Sequence, residues 1–216
     1  MSDIASGLIV AAATAVVVAV IFICSGRAKT RKIEVLRELC RQRGWTYERL
    51  GGTLAHGHRI AGDGWSFEAV SRSSGREAGP GSSEWGHETR WDAAGEDPGR
   101  GTFILGSRLG GRLLDVTRMP PALLARFLGE EAVTMRPFAA GERLDARYVL
   151  FAREAPPAMG FLDGRTEDLL LAWPARLPLV VRSSPARLSL RVLNVRLEKP
   201  AEVAALVELG QSLVRT

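Results

Sequence analysis

The sequence predicts an α+β fold: an N-terminal transmembrane helix, then a cytosolic domain of antiparallel β-sheet, in one sheet or two smaller ones, with helices packed on one face. Three observations predict it. An uncharged apolar run near the start ends abruptly in basic residues. A tryptophan-rich stretch with period-two alternation follows. The chain then closes on apolar residues spaced at three and four. Four parts result: residues 1–26 as a transmembrane anchor, 27–45 as a basic collar and amphipathic helix, 46–118 as a Trp-rich antiparallel meander, and 119–216 as an α+β second half on the same or an adjoining sheet.

The anchor comes first. No charged side chain lies between Asp3 and Arg27, and Leu8 to Cys24 is 17 residues. As a helix that run is about 25 Å long, and a start at Ile4 makes it about 31 Å, close to the hydrocarbon thickness of a bilayer. In lipid a helix satisfies its own backbone, so the β-branched Val16, Val17 and Val18 do not prevent it. A cleaved leader wants a basic start and a small-residue cleavage site. Here the start is Met-Ser-Asp, and Ile23 precedes Cys24 where a lipoprotein-type site wants a small residue. The segment therefore reads as retained. Arg27, Lys29, Arg31 and Lys32 follow it, where they are expected to contact lipid headgroups. By the positive-inside rule the N-terminus lies outside a bacterial inner membrane and the rest in the cytoplasm, as a single-pass protein. Gly7, Ala11, Ala15 and Ala19 recur every four residues. That small-residue stripe fits self-association of the span into a homodimer; the competing explanation is that Ala is abundant, since Ala12 and Ala13 lie off the stripe.

Composition narrows the functional classes. The chain has 216 residues, 46% hydrophobic and 25% charged, an ordinary globular mixture. Its net charge of +5 invites a nucleic-acid role. Yet four of the 29 basic residues form the collar and one of the 24 acidic residues is Asp3, so residues 33–216 hold 25 against 23, or +2. A nucleic-acid binder concentrates positive charge on a face of its domain, so none is expected as partner. Lysine occurs only at positions 29, 32 and 199, so nearly all the basic residues are arginine, beside abundant Ala and Gly, a bias typical of GC-rich bacterial genomes. Cys24 and Cys40 cannot build a disulfide framework, which fits a reducing compartment.

The domain's elements follow in order. Ile33, Leu36, Leu39 and Cys40 share one face of a helix that Gly44 stops, with Cys40 as core packing. From Thr46 the period becomes two. Leu54, His56, His58 and Ile60 share a strand face, Gly62-Asp63-Gly64 turns the chain, and Trp65, Phe67 and Ala69 alternate with Ser66, Glu68 and Val70. In "EWGHETRWD", Trp85, His87, Thr89 and Trp91 point one way and charges the other. Thr102 to Ser107 makes another strand, and Leu113 to Thr117 a short one. Pro120-Pro121 opens a helix with Leu124, Phe127 and Leu128 inward. Arg147 to Arg153 is a strand, followed by Pro156-Pro157 and a short helix ending at "FLDG". Thr166 caps a helix that Pro174 stops. Leu177–Arg182 and Arg187–Leu193 form a hairpin, and Pro200 opens a final helix with Val203, Leu206, Val207, Gly210, Leu213 and Val214 on one stripe.

Few residues carry recognisable chemistry. There is no phosphate-cradling Gly loop, no Gly-x-Ser-x-Gly elbow, no CxxC and no HExxH. The one cluster to weigh is His56, His58 and His87, with Glu88 beside it. Three imidazoles on one sheet face are weak candidates for a metal site; the plainer assignment is half-buried packing among aromatic neighbours. Trp65, Trp85 and Trp91 either line a ligand groove or fill the space between sheet and helices. Arg182, Arg187, Arg191 and Arg196 either meet phosphates or form a solvated face or a protected sheet edge.

The order of parts, with the "RGW-Y" end of the first helix and the tail "RYVLFAREAP…FLDG…LLLAW…LPLVV…LSLRV…VAALVELGQSLV", resembles bacterial single-pass membrane-anchored proteins of unknown function. That resemblance covers about a third of the chain and implies an inner-membrane protein with a cytosolic α+β domain; it supplies no catalytic residue. The expectation is thus a non-enzymatic binding or assembly module at the inner membrane, with the lipid bilayer and an unidentified protein as partners, no cofactor and no catalytic residues. The alternative is a membrane-tethered enzyme or metal-dependent sensor using the histidine face.

Overall fold

The computed structural model describes residues 30–52, 55–73, 85–94, 101–108, 119–154 and 162–215, without the side chains of Trp85 and Arg126. The expected span, the small-residue stripe, Arg27 and Lys29, the strand at Leu113–Thr117 and the helix after Pro156 lie outside those residues. Among the described residues no helix is long and apolar enough to cross a membrane.

The first helix, α1, spans residues 30–42. Four strands follow as a meander: β1 (Thr46–Leu50), β2 (Ala55–Gly62), β3 (Trp65–Ser73) and β4 (Trp85–Ala94). After β5 (Phe103–Ser107) come α2 (Pro121–Leu128) and a 3-10 turn over Glu130–Thr134. Then come β6 (Arg136–Phe138), β7 (Tyr148–Ala152), α3 (Gly164–Ala172), the hairpin β8 (Leu179–Ser184) and β9 (Arg187–Leu193), and α4 (Pro200–Arg215). The nine described strands form one antiparallel sheet in the order β1-β2-β3-β4-β9-β8-β5-β7-β6.

Alternation decides which residues face the core. Ile60, Phe67, Trp91 and Leu190 lie across from one another on neighbouring strands and are fully buried. On this face α1 sets Leu36 and Cys40, α3 sets Leu170, and α4 sets Val203, Leu206 and Leu213. Trp65 and Trp91 stack with ring centroids 6.3 Å apart, and Trp45 meets Trp65 edge-on at 5.3 Å. These rings help fill the space between sheet and helices. Gly210 is required where α4 crosses Trp91: a Cβ there would lie 2.6 Å from the ring.

Helices cover both faces of the sheet, a correction to the one-faced expectation. All five residues of β7 are buried, as are Phe103 to Gly106 of β5 and Leu179 to Val181 of β8. Strands apolar on both sides need cover on both sides. A second core therefore forms on the opposite face, where Ile104, Val149, Phe151 and Val180 pack under Leu128, Ala132 and Met135. Over β1 to β4 that same face stays wet. Glu48, Arg59, Glu68, Arg90 and Arg191 stand in register across five strands. Arg59 lies 3.6 Å from both Glu48 and Glu68, Arg90 pairs with Asp92 at 2.7 Å, and Arg191 pairs with Glu88 at 2.8 Å.

Two further expectations are corrected. The β8–β9 hairpin sits at the centre of the sheet, between β4 and β5, and not at an edge. The edges are β1, which carries charged residues, and β6, three residues long and containing Pro137, both poor templates for further pairing. Asp163, and not Thr166, caps α3: its carboxylate accepts from the Thr166 amide at 2.7 Å. Thr166 is buried inside the helix and shares a 2.8 Å hydroxyl contact with Ser212 of α4.

Candidate functional site

A cleft of about 270 Å³ opens where α1 lies over the free edge of the meander. Lys32, Ile33 and Leu36 come from α1, Tyr47, Arg49 and Leu50 from β1, and His56 to His58 from β2. The register explains the last two groups. Arg49 pairs with His58 and Tyr47 with Ile60, so Tyr47, Arg49, His56 and His58 share the face that α1 covers. Gly57 lies between the histidines because a Cβ there would meet the Ala69 carbonyl at 2.0 Å.

The remaining wall, Arg196 and Glu198, arrives from far away in sequence. Asn194 takes a left-handed conformation, φ 57°, and turns the chain out of β9. Thr89 of β4 then holds the crossing segment twice, its hydroxyl donating to the Val195 carbonyl at 2.7 Å and accepting from the Leu197 amide at 2.9 Å. Leu197 plugs the core, fully buried, and its flanking residues Arg196 and Glu198 border the cleft.

His58 forms part of the cleft's inner wall and is 6% exposed. Its ring lies between Tyr47, centroid 6.0 Å away, and Phe67, 5.7 Å away, both nearly parallel to it. Burial, helped by the positive charge of Arg196, pushes its pKa down to about 4, so the ring is neutral at physiological pH. Among the described residues its Nε2 has no hydrogen-bond partner. Around it stand Lys32, Arg49 and Arg196, with Glu198 as the only carboxylate lining the cleft among the described residues. Arg196 hydrogen-bonds Glu198, and Lys32 stands 4.0 Å from the same carboxylate. Burial lowers the pKa of Arg196 without threatening its charge. Arg49 is exposed and makes no ion pair among the described residues.

The three histidines do not assemble as a metal site. His56 and His87 each lie opposite Ser71, on either side of β3. His87 is exposed and its Nδ1 is 2.8 Å from the Ser71 hydroxyl, while His58 is sandwiched between rings. Among the described residues no three His, Cys, Asp or Glu side chains converge to hold a metal. The four hairpin arginines also separate. Arg187 pairs with Asp92 at 2.9 Å, Arg191 with Glu88, and Arg182 donates to the Leu128 carbonyl at the end of α2. Only Arg196 borders the cleft, because it lies beyond β9 on the crossing segment. Of the collar, Arg31 and Lys32 are described, both exposed on α1, and Lys32 lines the cleft. Sequence inspection missed Arg49 and Tyr47 as companions of His58. The available signal was the period of "TYERL", which puts Tyr47 and Arg49 on one face.

No family model, curated protein or solved structure matches this chain.

Proposed function

We propose that this protein is a single-pass bacterial inner-membrane protein whose cytosolic domain binds a ligand without chemically converting it. The cleft beside α1 carries the proposal: it is concave, part apolar, and holds a few convergent polar groups around a buried imidazole nitrogen with no partner among the described residues. The anchor is supported by the sequence, through the uncharged run before Arg27 and the basic residues after it. Because α1 carries Arg31 and Lys32 of that collar, the cleft would face the headgroup layer. Anchoring raises the effective concentration of the domain toward membrane-bound partners, and the stripe at Gly7, Ala11, Ala15 and Ala19 would let two copies associate. The rival, an enzyme or metal-dependent sensor on the His56, His58 and His87 face, gains no converging ligand set among the described residues.

Two measurements test this. Alkaline carbonate should leave the full-length chain in the membrane pellet, with a C-terminal reporter active only in the cytoplasm; release, or a reporter active outside, ends the anchored topology. A thermal-shift screen of small polar and amphiphilic metabolites, on full-length protein in detergent, should find a ligand that stabilises the wild type and not His58→Phe. A screen in which every stabilising compound acts equally on both proteins ends the assignment of the cleft.

A further inference from the structure

We propose that the cleft binds a phosphate monoester, its oxygens meeting Arg49, Arg196 and the His58 ring nitrogen and its carbon skeleton lying beside Ile33, Leu36 and Leu50. This deepens the binding proposal above and rests on it. The first support is the orphaned nitrogen. A buried polar atom without a partner is unfavourable, and among the described residues His58 Nε2 is such an atom, on a residue that lines the cleft. An acceptor oxygen in the cleft would remove that cost if Nε2 carries the proton. The neutral ring then donates a hydrogen bond without adding charge of its own.

Charge and shape supply the rest. Three cations line the cleft against one carboxylate, and that carboxylate already faces two of them. Arg49 keeps its whole fork available among the described residues. The donors Arg49, His58 and Arg196 arrive from three places, β1, β2 and the segment after β9, which suits the several terminal oxygens of a tetrahedral phosphate better than a planar carboxylate. A volume of about 270 Å³ is small for a drug-sized ligand and matches a headgroup. The same chemistry is found on a lipid, as in a phosphatidic-acid headgroup, and on a soluble ester such as glycerol 3-phosphate.

The test uses full-length protein in nanodiscs, with thermal unfolding followed by tryptophan fluorescence. Glycerol 3-phosphate is titrated into discs of phosphatidylcholine alone, with glycerol and acetate at matched ionic strength as controls. A second set of discs carries phosphatidic acid. Stabilisation by glycerol 3-phosphate in neutral discs identifies the soluble source; stabilisation only in phosphatidic-acid discs identifies the lipid. In either case Arg49→Ala, an exposed site that leaves the ligand-free melting temperature unchanged, should weaken the response at least about tenfold, and His58→Phe should do likewise. Basic-collar contacts with acidic lipid survive both substitutions, so a response that both variants retain in full overturns the proposal. Absence of response in both sets of discs also overturns it. If the metabolite screen then yields another cleft ligand, the phosphate assignment alone falls; if the screen is empty too, both fall.

Discussion

Burying a histidine that cannot be protonated in place makes stability depend on pH in a way one substitution removes. His58 is 6% exposed between Tyr47 and Phe67, with its pKa lowered from 6.5 to about 4 by burial and by Arg196. Between those values the unfolded chain binds a proton that the folded chain refuses, so stability falls as pH drops below 6.5 and the loss is complete below about 4. Linkage between the two values gives a loss of about 2 kcal/mol on going from pH 7 to pH 5. For a domain of this size that is a fall in melting temperature of about 4–8 °C. Paired carboxylates add their own acid sensitivity, so the decisive quantity is the difference between wild type and His58→Phe. The phenyl ring keeps the aromatic sandwich, removes the titration and removes the orphaned Nε2. Thermal unfolding of both full-length proteins in detergent, without added anion, should show His58→Phe at least as stable at pH 7 and clearly more stable at pH 5. Parallel pH profiles for the two proteins would mean that His58 is protonated as easily folded as unfolded, and the description of a dry, neutral imidazole would be wrong.

Three other outcomes are expected. Gly210→Ala should destabilise by about 1–3 kcal/mol in urea unfolding, because its Cβ would meet the fully buried Trp91 ring at 2.6 Å; an unchanged midpoint would show that α4 does not seat on Trp91. Thr89→Val leaves the Val195 carbonyl and the Leu197 amide without their shared partner. It should cost about 1–3 kcal/mol and weaken any ligand that needs Arg196, measured by unfolding and by titration of the cleft; unaltered binding would separate Arg196 from recognition. In a Cys24→Ser background, Cys40 should resist a disulfide reagent at pH 8 until the protein unfolds, because the thiol is 1% exposed and burial pushes its pKa to about 11. Labelling of the native protein at the rate of a free thiol would show that α1 is not packed on the sheet.

Local pattern carried much of the architecture. The stripe Leu36, Leu39, Cys40 gave a helix, the alternation through Trp65, Phe67 and Ala69 gave β3, and the spacing from Val203 to Leu213 gave α4. Each is legible because period and polarity are properties of neighbouring residues, whatever the rest of the chain does. The three-residue β6 and the turn before it carry no such period; β6 exists because β7 offers it an edge. The two-sided burial of β7 was written in "YVLFA", yet a continuous apolar run does not say what covers it.

Strand order and the cleft belong to a different level. Nothing near Arg187–Leu193 says that the hairpin will sit between β4 and β5; that follows from Trp91 meeting Leu190 across nearly a hundred residues of chain. The cleft is likewise long-range. Thr89 bonds a carbonyl 106 positions away, and that bond brings Arg196 beside His58. By itself the sequence determined the elements, the inward faces and the sharp division between an apolar start and a nearly neutral domain. Only tertiary structure decided which strands are neighbours, which face of each half is wet, and which cations surround one buried imidazole. Periodicity is settled by residues a few positions apart, whereas pairing and convergence depend on contacts between segments whose separation in the chain carries no signal of their meeting.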